Sequence, residues 1–89
     1  AESPPVAELI AARRLAPLEP LTPRARERMR ETALAYVQHA GNAVQMAAAM
    51  HVHPQTARYR LARLRELFGD ALDDPDARLE LELALRSPR

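Results

Sequence analysis

The stretch GNAVQMAAAMHVHPQTARYRLARLREL, residues 41–67, decides how this chain folds. It divides into two short helices, Ala43 to Met50 and a second that starts at Pro54 and continues to Phe68. His51-Val52-His53 forms the tight turn between them, with Val52 pointing inward, His51 filling the turn and His53 capping the second helix. Gly41 is expected to end the preceding helix, because glycine accepts the left-handed conformation that closes one. Asn42 then caps the first helix of the pair. Ala47, Ala48 and Ala49 let a second helix approach closely, and Met46 and Met50 fill the space beneath. In the second helix Ala57, Leu61, Leu64 and Phe68 recur at i, i+4, i+7 and i+11, which is one apolar stripe. Gln55, Tyr59, Ala62 and Arg63 fall on the opposite face, flanked by Arg58 and Arg60.

Toward the N-terminus, Thr22 is expected to cap a long helix with Pro23 at its first position. Met29, Ala33, Tyr36, Val37 and Ala40 share one face of it, and Arg24, Arg26, Glu27, Arg28, Arg30 and Glu31 lie mostly off that face. Before it, APLEPLTP (residues 16–23) reads as a stiff extended connector with Leu18 and Leu21 docked on a neighbour. A short amphipathic helix carrying Val6, Leu9, Ile10 and Arg13/Arg14 is expected after Ser3 and Pro4.

Beyond Gly69, the natural stop of the second helix, Asp74 caps, Pro75 opens and Asp76 favours a last helix. The RLELELALR after it alternates apolar and polar residues as a strand would, which would make it a wing beside the helix pair. Its Leu, Glu, Ala and Arg are helix formers, and it holds no β-branched residue. The expectation is a helix over Pro75 to Leu85 that packs its leucines on the domain.

Eighty-nine residues make one small domain. The chain begins at Ala1 rather than methionine, as a piece of a longer protein would. It has no cysteine, so neither disulfides nor thiolate metal sites hold it together. No apolar run approaches the ~20 residues of a membrane span, and no signal-peptide pattern is present, so a cytoplasmic location is expected. Net charge is only +1, but its distribution is uneven. His51 to Arg65 holds Arg58, Arg60, Arg63 and Arg65 and no acid, whereas Glu66 to Glu82 holds seven acids and only Arg78. A basic segment beside an acidic one can orient a domain on a polyanion.

The order GN, AA, HVHPQTARYRL and RLRELFGDALDDPDARLELELALR resembles the C-terminal helix-turn-helix domain of PucR-type transcriptional regulators, a group that includes purine-catabolism and sugar-diacid regulators. The resemblance is close over Gly41 to Arg86, and Thr22 to Ala40 looks like the family's preceding helix. It implies a DNA-binding module of a longer regulator with a ligand- or signal-sensing region upstream, and a fold related to the factor-for-inversion type. The chain departs from the family pattern where many relatives carry Arg-Asn, having Pro54-Gln55, and at Ala57, where leucine or valine is common. The first change removes one possible phosphate contact, and Gln55 reaches further than asparagine. Base preference therefore does not transfer.

The expected fold is all-α, a small helix-turn-helix domain of four to five helices. Residues 1–21 are its short N-terminal helix and Pro-rich connector, and residues 22–89 the DNA-binding domain. Docking geometry puts the start of the second helix against base edges of double-stranded DNA, which nominates Gln55, Arg58 and Tyr59. Thr56, Arg60 and Arg63 fit phosphate contacts, Asn42 and Gln45 add backbone contacts at the first helix's start, and His53 stands beside them. A module this small is expected to bind DNA as a homodimer. His51-Val52-His53 could clip a metal, but no cysteine or well-placed carboxylate completes a tetrahedral site. The acids from Asp70 to Glu82 lack the spacing of a calcium loop, and no nucleophile has a base beside it. No metal, cofactor or catalysis is expected. The competing reading is a protein-interaction module, in which Ala1 to Leu21 and Leu79 to Leu85 form a dimerisation surface and the arginines are solvated.

Overall fold

A computed structural model describes residues 5–87. Five α-helices run in order: α1 (Val6–Leu15), α2 (Pro23–His39), α3 (Ala43–Met50), α4 (Pro54–Phe68) and α5 (Pro75–Arg86). Short 3-10 segments at Ala16–Leu18 and Gly69–Leu72 join α1 to α2 and α4 to α5. There is no strand among the described residues, so the all-α expectation holds and the alternating tail is a helix, not a wing.

Helix starts use a repeated local device. Thr22, Asn42, His53 and Asp74 each accept a hydrogen bond from a backbone N–H of the next first turn: Ala25, Gln45, Gln55 and Ala77, at 3.2, 3.0, 3.0 and 2.8 Å. Three of these caps precede a proline at the first helical position, Pro23, Pro54 and Pro75, where the missing N–H costs nothing. The helix start expected at Ser3 and Pro4 lies outside the described residues; α1 is preceded by Pro5 and has no side-chain cap.

The α2–α3 junction closes one residue earlier than expected. Ala40 already takes the left-handed conformation (φ 50°), and Gly41 comes next with φ 75°. Both residues donate their N–H to the Tyr36 carbonyl, Gly41 at 3.1 Å. A Cβ on Gly41 would stand 3.0 Å from Tyr36 Cε2, so the position demands glycine on two counts. The α3–α4 turn is closed by His51 (φ 58°) and by a 3.0 Å bond from the Val52 N–H to the Ala47 carbonyl.

The core gathers one face from each of α2 to α5. Ala33, Met46, Ala57, Leu64, Leu72 and Leu81 are at most 1 % exposed, and Met29, Tyr36, Ala47, Met50 and Phe68 are also buried. Val37, Val52 and Leu61 are only partly buried against this cluster, and Ala40, Ala48 and Ala49 are exposed. Residues 16–21 are not extended: they fold through the 3-10 turn, which buries Leu18. Arg26 holds this turn from α2, its Nε donating to the Leu18 carbonyl (3.2 Å) and its Nη2 to the Glu19 and Leu21 carbonyls (3.1 and 3.0 Å). α1 packs along α5, tied by Arg14 Nε to Glu80 Oε1 at 2.6 Å. The tail's leucines divide: Leu81 and Leu85 are buried, whereas Leu79 and Leu83 are exposed. Strict alternation on a helix sends successive leucines to opposite sides, so only half of them can reach the core.

Two substitutions test this packing. Leu64→Ala is expected to cost about 2–5 kcal/mol in chemical unfolding, as fully buried leucine truncations do, and Leu61→Ala clearly less. Gly41→Ala is expected to cost about 1–3 kcal/mol from backbone strain and displacement of the Tyr36 ring, read from its melting temperature against the parent.

Candidate nucleic-acid interface

α4 has an inner and an outer side. Ala57, Leu64 and Phe68 seat the inner side in the core, and Gln55, Arg58, Tyr59, Ala62 and Arg63 are exposed on the outer. Tyr59 is 77 % exposed, so its ring is not a core element. Arg58 Nη2 donates to Gln55 Oε1 at 3.1 Å, which joins two of the nominated base-reading side chains. Arg63 Nη1 lies 3.1 Å from Glu66 Oε2, one turn on. Both pairs are exposed, so each contributes little to stability and can be exchanged for another partner.

The remaining nominated residues sit differently. Thr56 and Arg60 are half-buried on the side of α4 that meets α2, and Arg60 Nη1 lies 3.6 Å from Glu31 Oε1. Asn42 and Gln45 are exposed at the start of α3, with the Asn42 side-chain oxygen already engaged by the Gln45 N–H. His53 accepts through Nδ1, which puts the proton of the neutral ring on Nε2. Thr56, Tyr59, Arg60 and Arg63 line a groove of about 320 Å³ between α2 and α4, whose α2 wall carries Arg28. Arg28 was not among the sequence candidates. Its place four residues after Arg24 puts both on one side of α2, but the sequence does not say that this side borders α4.

The acidic segment is largely engaged in the fold. Asp74 caps α5, Asp73 lies 3.8 Å from Arg65, Glu80 pairs with Arg14, and Glu82 with Arg86 at 3.1 Å. Arg65 also stands 5.7 Å from the centroid of the Tyr36 ring, a cation–π contact on the body of the domain.

Among known families, the model of the PucR C-terminal helix-turn-helix domain matches residues 29–87, well over half of the chain. The chain belongs to that family. In this PucR-type domain α3 and α4 are the helix-turn-helix pair, and such domains belong to DNA-binding transcription regulators. No curated protein and no solved structure matches the chain. No helix among the described residues is long and apolar enough to cross a membrane.

Loss of the unusual histidine cap gives a direct check on how α4 is started. His53→Ala is expected to lower stability by about 1 kcal/mol, the usual scale for a lost N-cap, and to increase amide hydrogen exchange at Gln55.

Proposed function

We propose that this domain binds double-stranded DNA sequence-specifically, with α4 lying in the major groove, as part of a bacterial transcription regulator. The observation that carries the reading is the outer side of α4. Gln55, Arg58, Tyr59 and Arg63 project together from a capped helix whose other side is locked into the core. Arginine suits a bidentate contact to guanine and glutamine to adenine, and the first two turns of a recognition helix are where base edges are reached. Thr56, Arg60 and Arg63 take phosphates on one side of α4, and Asn42 and Gln45, with His53 near the turn, take them at the start of α3. In the whole regulator an upstream sensory region would set when the domain binds, and the protein would act in the cytoplasm.

A second reading concerns assembly and is compatible with the first. Val6, Leu9, Leu79 and Leu83 are 54–70 % exposed on α1 and α5. Single modules bury little DNA surface, so pairing of two domains through these helices would supply useful affinity. Sedimentation of Leu83→Glu against the parent tests it: a parent that is monomeric at all concentrations removes this reading for the isolated chain.

The experiment for the main reading is a binding titration on a duplex selected from a random pool and on a scrambled duplex, at several salt concentrations. Arg58→Ala is expected to cost about 1–3 kcal/mol on the selected duplex and to flatten discrimination at one base position. Arg63→Ala is expected to weaken both duplexes alike and to reduce the salt slope by about one unit. Equal losses on both duplexes for Arg58→Ala would make it a phosphate contact and overturn this docking.

A further inference from the structure

Arg24 and Arg28 stand on the same side of α2, one turn apart, and both are exposed. Neither side chain makes a hydrogen bond or ion pair with another described residue, in contrast to Arg26 between them, which is fixed on three carbonyls. Arg28 forms one wall of the groove between α2 and α4, opposite Thr56, Tyr59, Arg60 and Arg63, and no carboxylate lines that groove. Arg28 and Arg60 also line the adjoining depression, together with Arg24, Glu27 and Glu31. Arg63, Arg60 and Arg28 thus border one groove, and Arg60, Arg28 and Arg24 border the depression beside it, where Glu27 and Glu31 stand among them.

We infer that this α2–α4 groove, together with the adjoining depression that Arg24 lines, is a phosphodiester-binding site, in which Arg24 and Arg28 hold the DNA backbone on the side of α4 away from α3. The inference rests on the DNA-binding reading above and extends its contact surface to a helix outside the helix-turn-helix pair. The physical reason is the shape of the duplex. The major groove has a phosphate backbone on each side, so a helix lying in it needs cationic or amide partners on both of its flanks. Asn42 and Gln45 at the start of α3 serve one flank. The other flank is the α2 side, where the polar residues of α4, Thr56 and Arg60, face the N-terminal half of α2. The Tyr59 ring and the apolar floor of Leu21, Ala25 and Met29 give the sugar a surface to rest on, while arginine forks take the charged oxygens. Glu31 holds Arg60 at 3.6 Å and stands beside the path of the phosphates, so it opposes binding.

The test uses the 89-residue chain and a scrambled-sequence duplex, with affinity measured against salt. The double substitution Arg24→Ala/Arg28→Ala should bind roughly ten-fold more weakly at fixed salt, the scale of two exposed ionic contacts. Its log–log salt slope should fall by about two units, one for each lost phosphate partner. Arg24→Lys/Arg28→Lys should recover the slope, because the charge is retained. Thermal melts of parent and double variant should overlay, since both side chains are exposed. Glu31→Gln should tighten binding to any duplex, because it removes a negative charge beside the groove. A double variant with parental affinity and slope overturns the inference, as does a Glu31→Gln variant that binds no better than the parent. If Arg63→Ala weakens binding in the same assay while the double variant does not, the α2 contacts of Arg24 and Arg28 fail and the α4 reading stands. If the parent binds no duplex, the DNA-binding reading itself fails.

Discussion

Gly41 lies against the ring of Tyr36, with 3.0 Å between the place of a Cβ and Cε2. That contact sets the path of the chain beyond α2. Ala40 and Gly41 reverse the backbone in two left-handed residues, and Asn42 restarts a helix at once. α3 therefore leaves α2 at an angle with no slack in the connection. Tyr36 is itself held, 4 % exposed, with its hydroxyl donating to the Leu72 carbonyl at 3.2 Å and Arg65 above its ring. One side chain thus joins the end of α2, the turn into α3, the body of α4 and the 3-10 segment that leads into α5. A domain with a modest core gains rigidity from such shared nodes more than from the sheer area it buries.

Much of this was legible in the sequence because helix ends carry short-range chemistry. Thr22-Pro23, His53-Pro54 and Asp74-Pro75 mark three starts, and each pairs a side-chain acceptor with a residue that lacks the N–H a helix start leaves unused. The stripe Ala57, Leu64 and Phe68 was readable because helical period is a property of one segment alone. What was not legible depends on neighbours. Residues 16–21 looked extended by their prolines, yet the pull of Leu18 into the core and the three-carbonyl grip of Arg26 fold them into a turn. Leu61 keeps the period but sits at the edge of the cluster, and only the position of the other helices decides that. The leucines of α5 illustrate the same limit: composition identified a helix, but where α1 and the core lie decides which of its two leucine rows is covered.

The candidate interface divides in the same way. The outer face of α4 needed only the period, so Gln55, Arg58, Tyr59 and Arg63 could be named and are exposed together. Arg60 is the intermediate case, off the stripe by sequence yet half-buried and shared with Glu31 across the α2 interface. Arg26 and Arg28 are the clearest case. They are two residues apart in one helix and identical in type, yet one is a structural clamp on backbone carbonyls and the other lines an open groove. Residues two apart on a helix point nearly opposite ways, so their fates separate once the partners on each side are fixed, and those partners are distant in sequence.

Charge counting misleads here for a related reason. A net charge of +1 gives no field worth the name, but acids and arginines are not distributed alike in their duties. Asp74 is committed to the cap of α5 and Glu80 to a part-buried ion pair with Arg14, so both serve the fold. Arg58, Arg60 and Arg63 of α4 have weaker commitments: Arg58 to an amide, Arg63 to an exposed carboxylate, Arg60 to a carboxylate at 3.6 Å. Exposed pairs of this kind exchange partners at little cost, whereas the buried side of α4 does not move without opening the core. The helix is thus held by apolar contacts that carry no preference for a ligand, and its free side is left to groups that are held only loosely. Rigid placement with exchangeable charge is the arrangement a surface needs if it is to meet a polyanion without first rearranging itself.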